Sequence, residues 1–190
     1  MRVLAIDPAL RNTGWAIVER EGKVNRGIAW GVIRNKPALR QSACLVVIME
    51  AMRQIIREHR PDCCAIESTI YVQNFSTAIT LGAARAAAIM APAEAGLEIC
   101  EYPPRRGEAA GGGGGAAAKG QGGFLGRGPL KGAVVGRGAA DKAQVAFMVR
   151  ALLKLTETPP HDAADALAVG IAHVESTDPG SPWQREKSVV

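Results

Sequence analysis

Residues 2–7, RVLAID, run apolar from Val3 to Ile6 without alternation and stop at an aspartate. A strand that is wet on one face alternates apolar and polar side chains, so a run like this one needs cover on both faces. It reads as the central strand of a sheet with helices above and below, an α/β arrangement. CCAIES, residues 63–68, repeats the form and again closes on an acid, Glu67. Between the two, GWAIVER and VNRGIAWGVI read as strands separated by the turn EREGK. Three strands this close together predict an antiparallel meander. LEICEY, residues 97–102, predicts a fifth strand.

The period changes between Pro37 and Arg60, where Leu45, Ile48, Met52, Ile55 and Ile56 recur at helical spacing. Pro37 suits the start of that helix and Pro61 its stop. A second helix is expected from about Ser76 to Ala95, ending near Gly96, a third within GRGAADKAQVAFMVRALLKL, and a fourth in DAADALAVGIAHV. The order predicts a mixed five-stranded sheet flanked by helices, with the first and fourth strands parallel neighbours. Residues 1–174 read as one domain. Residues 107–130 interrupt it with half of the chain's 22 glycines. Glycine loses the most backbone freedom on folding, so this low-complexity stretch reads as a flexible insertion in a surface loop. The tail from 175 to 190 is expected to be disordered.

Composition narrows the partners. The chain has 190 residues, 47% hydrophobic, a formal net charge of +5 and a pI near 9.3. Such a balance suits a polyanion, although a basic solvated surface has the same composition. MRVLAID is too short an apolar run for a secretory leader, and no window approaches the ~20 apolar residues of a membrane span. A cytoplasmic protein is expected. Cys44, Cys63, Cys64 and Cys100 form no CxxC pair, and His59, His161 and His173 complete no zinc pattern. The cysteines read as buried thiols in a reducing compartment.

The acids carry the chemistry. If the strands ending AID and AIE are parallel neighbours, Asp7 and Glu67 emerge at one carboxyl edge, where open α/β sheets place their sites. Turns also favour acids after strands, so either residue alone has a structural explanation. HDAADALA, residues 161–168, adds Asp162 and Asp165, three apart and so on one helix face. After Pro159 and Pro160, Asp162 could equally be a helix cap and Asp165 a dipole partner. The small residues Ala163, Ala164, Ala166 and Ala168 would let that helix start approach the sheet. Four carboxylates in one cleft repel, so some protonate or a cation binds. An all-oxygen set suits Mg²⁺ or Mn²⁺, and a pair of such ions ~3.5–4 Å apart is a common device for phosphodiester cleavage.

IDPALRNTGWAIVE, AIESTIYVQN, LGAARAAAIMAPAEAGLEICEYPP, VVGRGAADKAQVAFMVRALLKL and TPPHDAADALAVGIAH together resemble the RuvC family of crossover junction endodeoxyribonucleases over most of residues 1–174. The resemblance implies a ribonuclease H-like fold and a homodimer that resolves four-way (Holliday) DNA junctions by paired nicks. It implies two Mg²⁺ ions per subunit, with Mn²⁺ as a substitute, and partnership with the RuvA and RuvB branch-migration proteins. The family's metal-binding and catalytic acids fall on Asp7, Glu67, Asp162 and Asp165, and its basic residues near the scissile phosphate on Lys131 and Lys142. An aromatic junction contact is expected at Ile70, where this chain has no ring; Tyr71 follows and could stack on unpaired bases. Gln73 and Arg85 are further candidates for phosphate contacts. His161 is either a proton carrier or a neighbour of the helix start. Ala9 replaces the family's glycine after Asp-Pro, which predicts a sterically tighter turn. Two other functions fit the same residues: a junction-binding scaffold impaired in cleavage by the insertion, and a related RNA-processing nuclease.

Overall fold

A computed structural model of the chain describes residues 1–68, 74–102, 142–179 and 188–189. The elements are β1 (Arg2–Asp7), β2 (Asn12–Glu21), β3 (Val24–Arg34), α1 (Gln41–His59), β4 (Cys63–Glu67), α2 (Phe75–Glu94), β5 (Glu98–Tyr102), α3 (Lys142–Leu152), α4 (His161–Ser176) and β6 (Ser188–Val189). The strands form one sheet in the order β3-β2-β1-β4-β5-β6. β1, β2 and β3 make the expected antiparallel meander, and β1–β4 and β4–β5 pair in parallel. The expected five strands thus gain a sixth, because Ser188 and Val189 pair antiparallel with Glu101 and Cys100 on the outer edge of β5. That short strand comes from the tail read as disordered, and α4 itself runs on to Ser176.

The period of two in β1 divides the core. Leu4 and Ile6 join Ile17, Cys64, Ile66 and Ile99 beneath α1 and α2, which contribute Ile48, Met52, Ala84 and Ala88. Val3 and Ala5 join Ala16, Val18, Ala65, Cys100 and Tyr102 beneath α3 and α4. Both faces of β1 are therefore dry, as the unbroken apolar run requires. Burying a residue such as Ile6 or Leu4, each fully enclosed, contributes about 1.5–3 kcal/mol. On α4, Gly170 allows close contact with the sheet: a Cβ there would stand 2.5 Å from the Val18 Cγ2 and 3.2 Å from the Ala5 Cβ. Arg20 of β2 holds the far end of α4, donating to the Val174 carbonyl at 2.7 Å and to both Asp178 oxygens at 2.7 and 2.8 Å. A cation there also opposes the negative end of the helix dipole.

Helix boundaries shift for local reasons. Pro37 does not open α1; Leu39 N–H closes a turn on the Lys36 carbonyl at 2.9 Å, and the helix starts at Gln41 after an extended Arg40. Its end is set by Pro61, which disfavours a helical residue before it; Arg60 leaves at φ 47°, capped by its N–H on the Ile56 carbonyl. α2 begins where the Asn74 side chain accepts from the Ser76 N–H at 2.8 Å. The expected third helix stops early, at Leu152, and Lys154 follows in the left-handed region.

Candidate active site at the carboxyl edge of the sheet

The β1–β4 register places Ile6 opposite Ile66, so Asp7 and Glu67 are the next residues at the same level on neighbouring strands. Neighbouring strands lie about 4.8 Å apart. Alternation then sets their direction. Asp7 continues the series Val3, Ala5, and Glu67 the series Cys63, Ala65, all on the α3–α4 face. Both acids therefore face the layer that contains α4.

On its other side Asp7 pairs with Gly14 of β2. The start of α4 rests on that glycine. A Cβ at residue 14 would collide with the Asp162 carbonyl oxygen and would stand 3.3 Å from the Ala163 nitrogen. The absent side chain is what admits the helix, as an isolated glycine within a strand pattern often signals. Ala163, Ala164, Ala166 and Ala168 are all buried, and they bring the first turns of α4 down as their size suggested.

Asp162 is not the N-cap, but it stands in the first turn of α4, where its charge favours the helix dipole; Asp165 lies one turn further on. The residue before α4 is Pro160, at ψ 153°, and it makes no side-chain cap bond. Asp162 is the second residue of the helix and Asp165 the fifth, on one face by their spacing. Asp7, Glu67, Asp162 and Asp165 are each half-buried. Among the described residues, no three acids, histidines or cysteines already stand in a single ligand shell. The backbone instead gathers the segments that carry them: two adjacent strand ends, and one helix start seated on the partner of Asp7. The donor set is all oxygen, which fits a hard divalent cation better than zinc.

The turn after Asp7 is fixed. The fully buried Thr13 hydroxyl donates to the Ala9 carbonyl at 2.6 Å, and Asn35 N–H closes on the Arg11 carbonyl at 2.9 Å. Ala9 is not among the described residues with positive φ, so a side chain there carries no left-handed strain. His161 is the exposed first residue of α4. Lys142 opens α3. Arg85 forms an ion pair with Glu101 of β5. Ile70, Tyr71, Gln73, Lys131 and the 107–130 insertion lie outside the described residues.

Sequence reading missed two features. The role of Gly14 has a signal, a glycine inside an apolar strand, but its partner is 148 positions away by the numbering of Asp162. The second is a row of apolar residues left exposed on α2: Phe75 (90%), Ile79 (70%), Ala86 and Met90 (48%), with Gly82 in open space among them.

A mixed sheet of this order, covered on both faces and carrying acids at the ends of its central parallel pair, defines a ribonuclease H-like protein. Comparison with known proteins narrows the class. The family model described as "Crossover junction endodeoxyribonuclease RuvC" matches residues 3–131 and 124–173. A protein of that name from Akkermansia muciniphila is 45% identical over 190 residues, covering 100% of both chains. One from Maricaulis maris is 40% identical over 173 residues, covering 91% of this chain and 90% of that one. Thermus thermophilus RuvC in complex with a Holliday junction substrate superposes with a TM-score of 0.73 at 27% identity, covering 92% of this chain and 93% of that one. The chain belongs to the RuvC family of crossover junction endodeoxyribonucleases. Among the described residues no helix is long and apolar enough to cross a membrane.

Proposed function

We propose that this protein is a metal-dependent endonuclease that resolves four-way DNA junctions, with Asp7, Glu67, Asp162 and Asp165 as its metal-binding and catalytic acids. The observation that carries the reading is the seating of α4 on Gly14, directly across from Asp7, beside a strand pair that ends in Asp7 and Glu67. Carboxylates so placed favour Mg²⁺, with Mn²⁺ as a substitute and two ions per subunit. Bound there, the ions supply Lewis-acid charge at the scissile phosphate. Asp7 and Glu67 hold that charge on the rigid sheet, while Asp162 and Asp165 hold it from the helix. Family membership and the junction-bound relative support the substrate. Lys142, at the first position of α3, and Lys131 bind the DNA backbone, and Tyr71 stacks on bases at the junction centre. The net charge of +5 supports the polyanion partner.

The active form is a homodimer. A four-way junction presents two symmetric strands, and a two-fold dimer presents two symmetric sites. Phe75, Ile79, Gly82, Ala86 and Met90 lie three or four residues apart on α2, the spacing of one helix face. An exposed apolar row with small residues at its centre suits close packing against the same row of a second copy. RuvA and RuvB are the branch-migration partners of this reading, and a cytoplasmic location follows from it.

Nicking of a synthetic four-way junction, with and without Mg²⁺ or Mn²⁺, tests the proposal. Wild-type protein should cleave only with the metal. Asp7→Asn removes one ligand charge at constant shape, and should abolish cleavage while leaving junction binding intact. Near-normal cleavage by that variant would remove the metal assignment. Binding without cleavage in either ion would leave a scaffold in place of an enzyme, and cleavage of structured RNA in preference to junctions would change the substrate.

A further inference from the structure

A second cluster of reactive groups lies under the far end of α4, away from the acids. His173 is 3% exposed. Its Nε2 is 3.3 Å from the Cys63 Sγ and its Nδ1 is 2.9 Å from the Tyr102 hydroxyl. The Tyr102 hydroxyl is also 2.9 Å from the Ser176 Oγ. Cys63 opens β4, four residues before Glu67, so about 13 Å of strand separates it from the carboxyl edge.

Hydrogen-bond accounting fixes the tautomer. The Ser176 Oγ lies 2.7 Å from the His173 carbonyl, which can only accept, so the serine hydrogen is used there. Ser176 must then accept from Tyr102. Burial raises the Tyr102 phenol to about 12, so it keeps its hydrogen at neutral pH and can give it. With that hydrogen on Ser176, the phenol oxygen accepts from His173, and Nδ1 carries the imidazole hydrogen. Nε2 is left as the acceptor, and its neighbour is a thiol.

From this arrangement we infer that Cys63 is a histidine-activated thiol, a site of covalent modification by hydroperoxides and soft electrophiles. The parts are those of an activated nucleophile: a thiol within reach of a base, and the base oriented by a third group. His173 Nε2 takes the thiol proton, and the sulfur attacks. With hydrogen peroxide, an S–O bond forms as the O–O bond breaks, sulfur loses two electrons, and the leaving hydroxide takes the proton back from His173 as water; an organic hydroperoxide loses its alkoxide in the same way, as the alcohol. With an alkyl halide, an S–C bond forms, halide leaves, and the proton remains on the imidazole or passes to solvent. Cys63 is only partly buried, whereas Cys44, Cys64 and Cys100 are each 0% exposed. Burial also pushes the Cys64 thiol far up, which makes it a poor nucleophile.

Timed labelling of the native chain with iodoacetamide, and with dilute hydrogen peroxide plus a sulfenic-acid trap, followed by peptide mass mapping, tests the inference. Cys63 should react first, and about tenfold faster than in His173→Gln, since the thiolate and not the thiol is the nucleophile. Tyr102→Phe should also slow it, by releasing the base from its orientation while keeping the ring; this arm stands if His173→Gln does not fold. Retained junction binding or far-ultraviolet circular dichroism identifies folded variants. Cys63 labelling at one rate in wild type and in whichever variant folds would overturn the inference. So would a native rate no higher than that of the urea-unfolded chain at the same pH.

Discussion

Gly14→Ala adds one methyl group at the point where the sheet and α4 meet. That carbon would stand 2.6 Å from the Asp162 carbonyl carbon and closer still to its oxygen. Non-bonded carbons rest about 3.5–4.0 Å apart, so the start of α4 must retreat by about 1 Å. The obstacle is backbone, which has no rotamer to swing aside. Overpacking of this size costs about 1–3 kcal/mol of stability. The larger effect falls on activity, because a displacement of about 1 Å in a catalytic group can cost on the order of 100-fold in rate. Asp162 and Asp165 move with the helix, while Asp7 and Glu67 stay on the strands. Single-turnover cleavage of a four-way junction at saturating protein should therefore fall about 100-fold, with junction affinity close to wild type. Thermal unfolding measured on the same preparation separates the two effects. A folded Gly14→Ala protein that cleaves at the wild-type rate would show that the approach of α4 to β2 does not set the geometry of the site.

Other outcomes follow from the same structure. Ile79→Glu puts a charge in the middle of the exposed row on α2, and sedimentation should show a dimer becoming a monomer; an unchanged mass would move the interface elsewhere. Lys142→Ala should weaken junction binding and lower the slope of log affinity against log salt by about one, so an unaltered slope would take Lys142 off the DNA face. Tyr102 rises from 10.0 to about 12 on folding, so the native state holds its proton more tightly than the unfolded chain. That contribution is complete below pH 10 and lost as pH rises towards 12, amounting to about 2–3 kcal/mol. Denaturant unfolding across that window should show wild type losing stability relative to Tyr102→Phe, and parallel curves would contradict it.

Much of this arrangement is legible in the sequence. The unbroken apolar run Val3–Ile6 required two covering layers, and the structure supplies α1 with α2 on one face and α3 with α4 on the other. The matching ends of β1 and β4 placed Asp7 and Glu67 on one edge, given parallel pairing. These inferences work because a strand's period of two and a helix's 3.6 are local properties of the backbone. Where local chemistry offered two answers, it could not choose. Asp162 after two prolines looked equally like a cap, until Pro160 proved to be the residue before the helix. Arg85 reads from the sequence as a candidate for a phosphate contact, and its pairing with Glu101 depends on how α2 lies across β5. The tail looked disordered, yet Ser188 and Val189 find an open edge on β5.

The sequence by itself determined which side chains share a face within each element, and so which layers the chain needed and which acids each element could present. The tertiary structure decided which faces meet: that Gly14 receives the Asp162 carbonyl, and that Tyr102, Ser176 and Cys63 converge on His173. The physical reason is separation along the chain. Periodicity acts over a few residues, whereas contacts between positions seventy or more apart depend on the fit of complete surfaces, which no local pattern encodes.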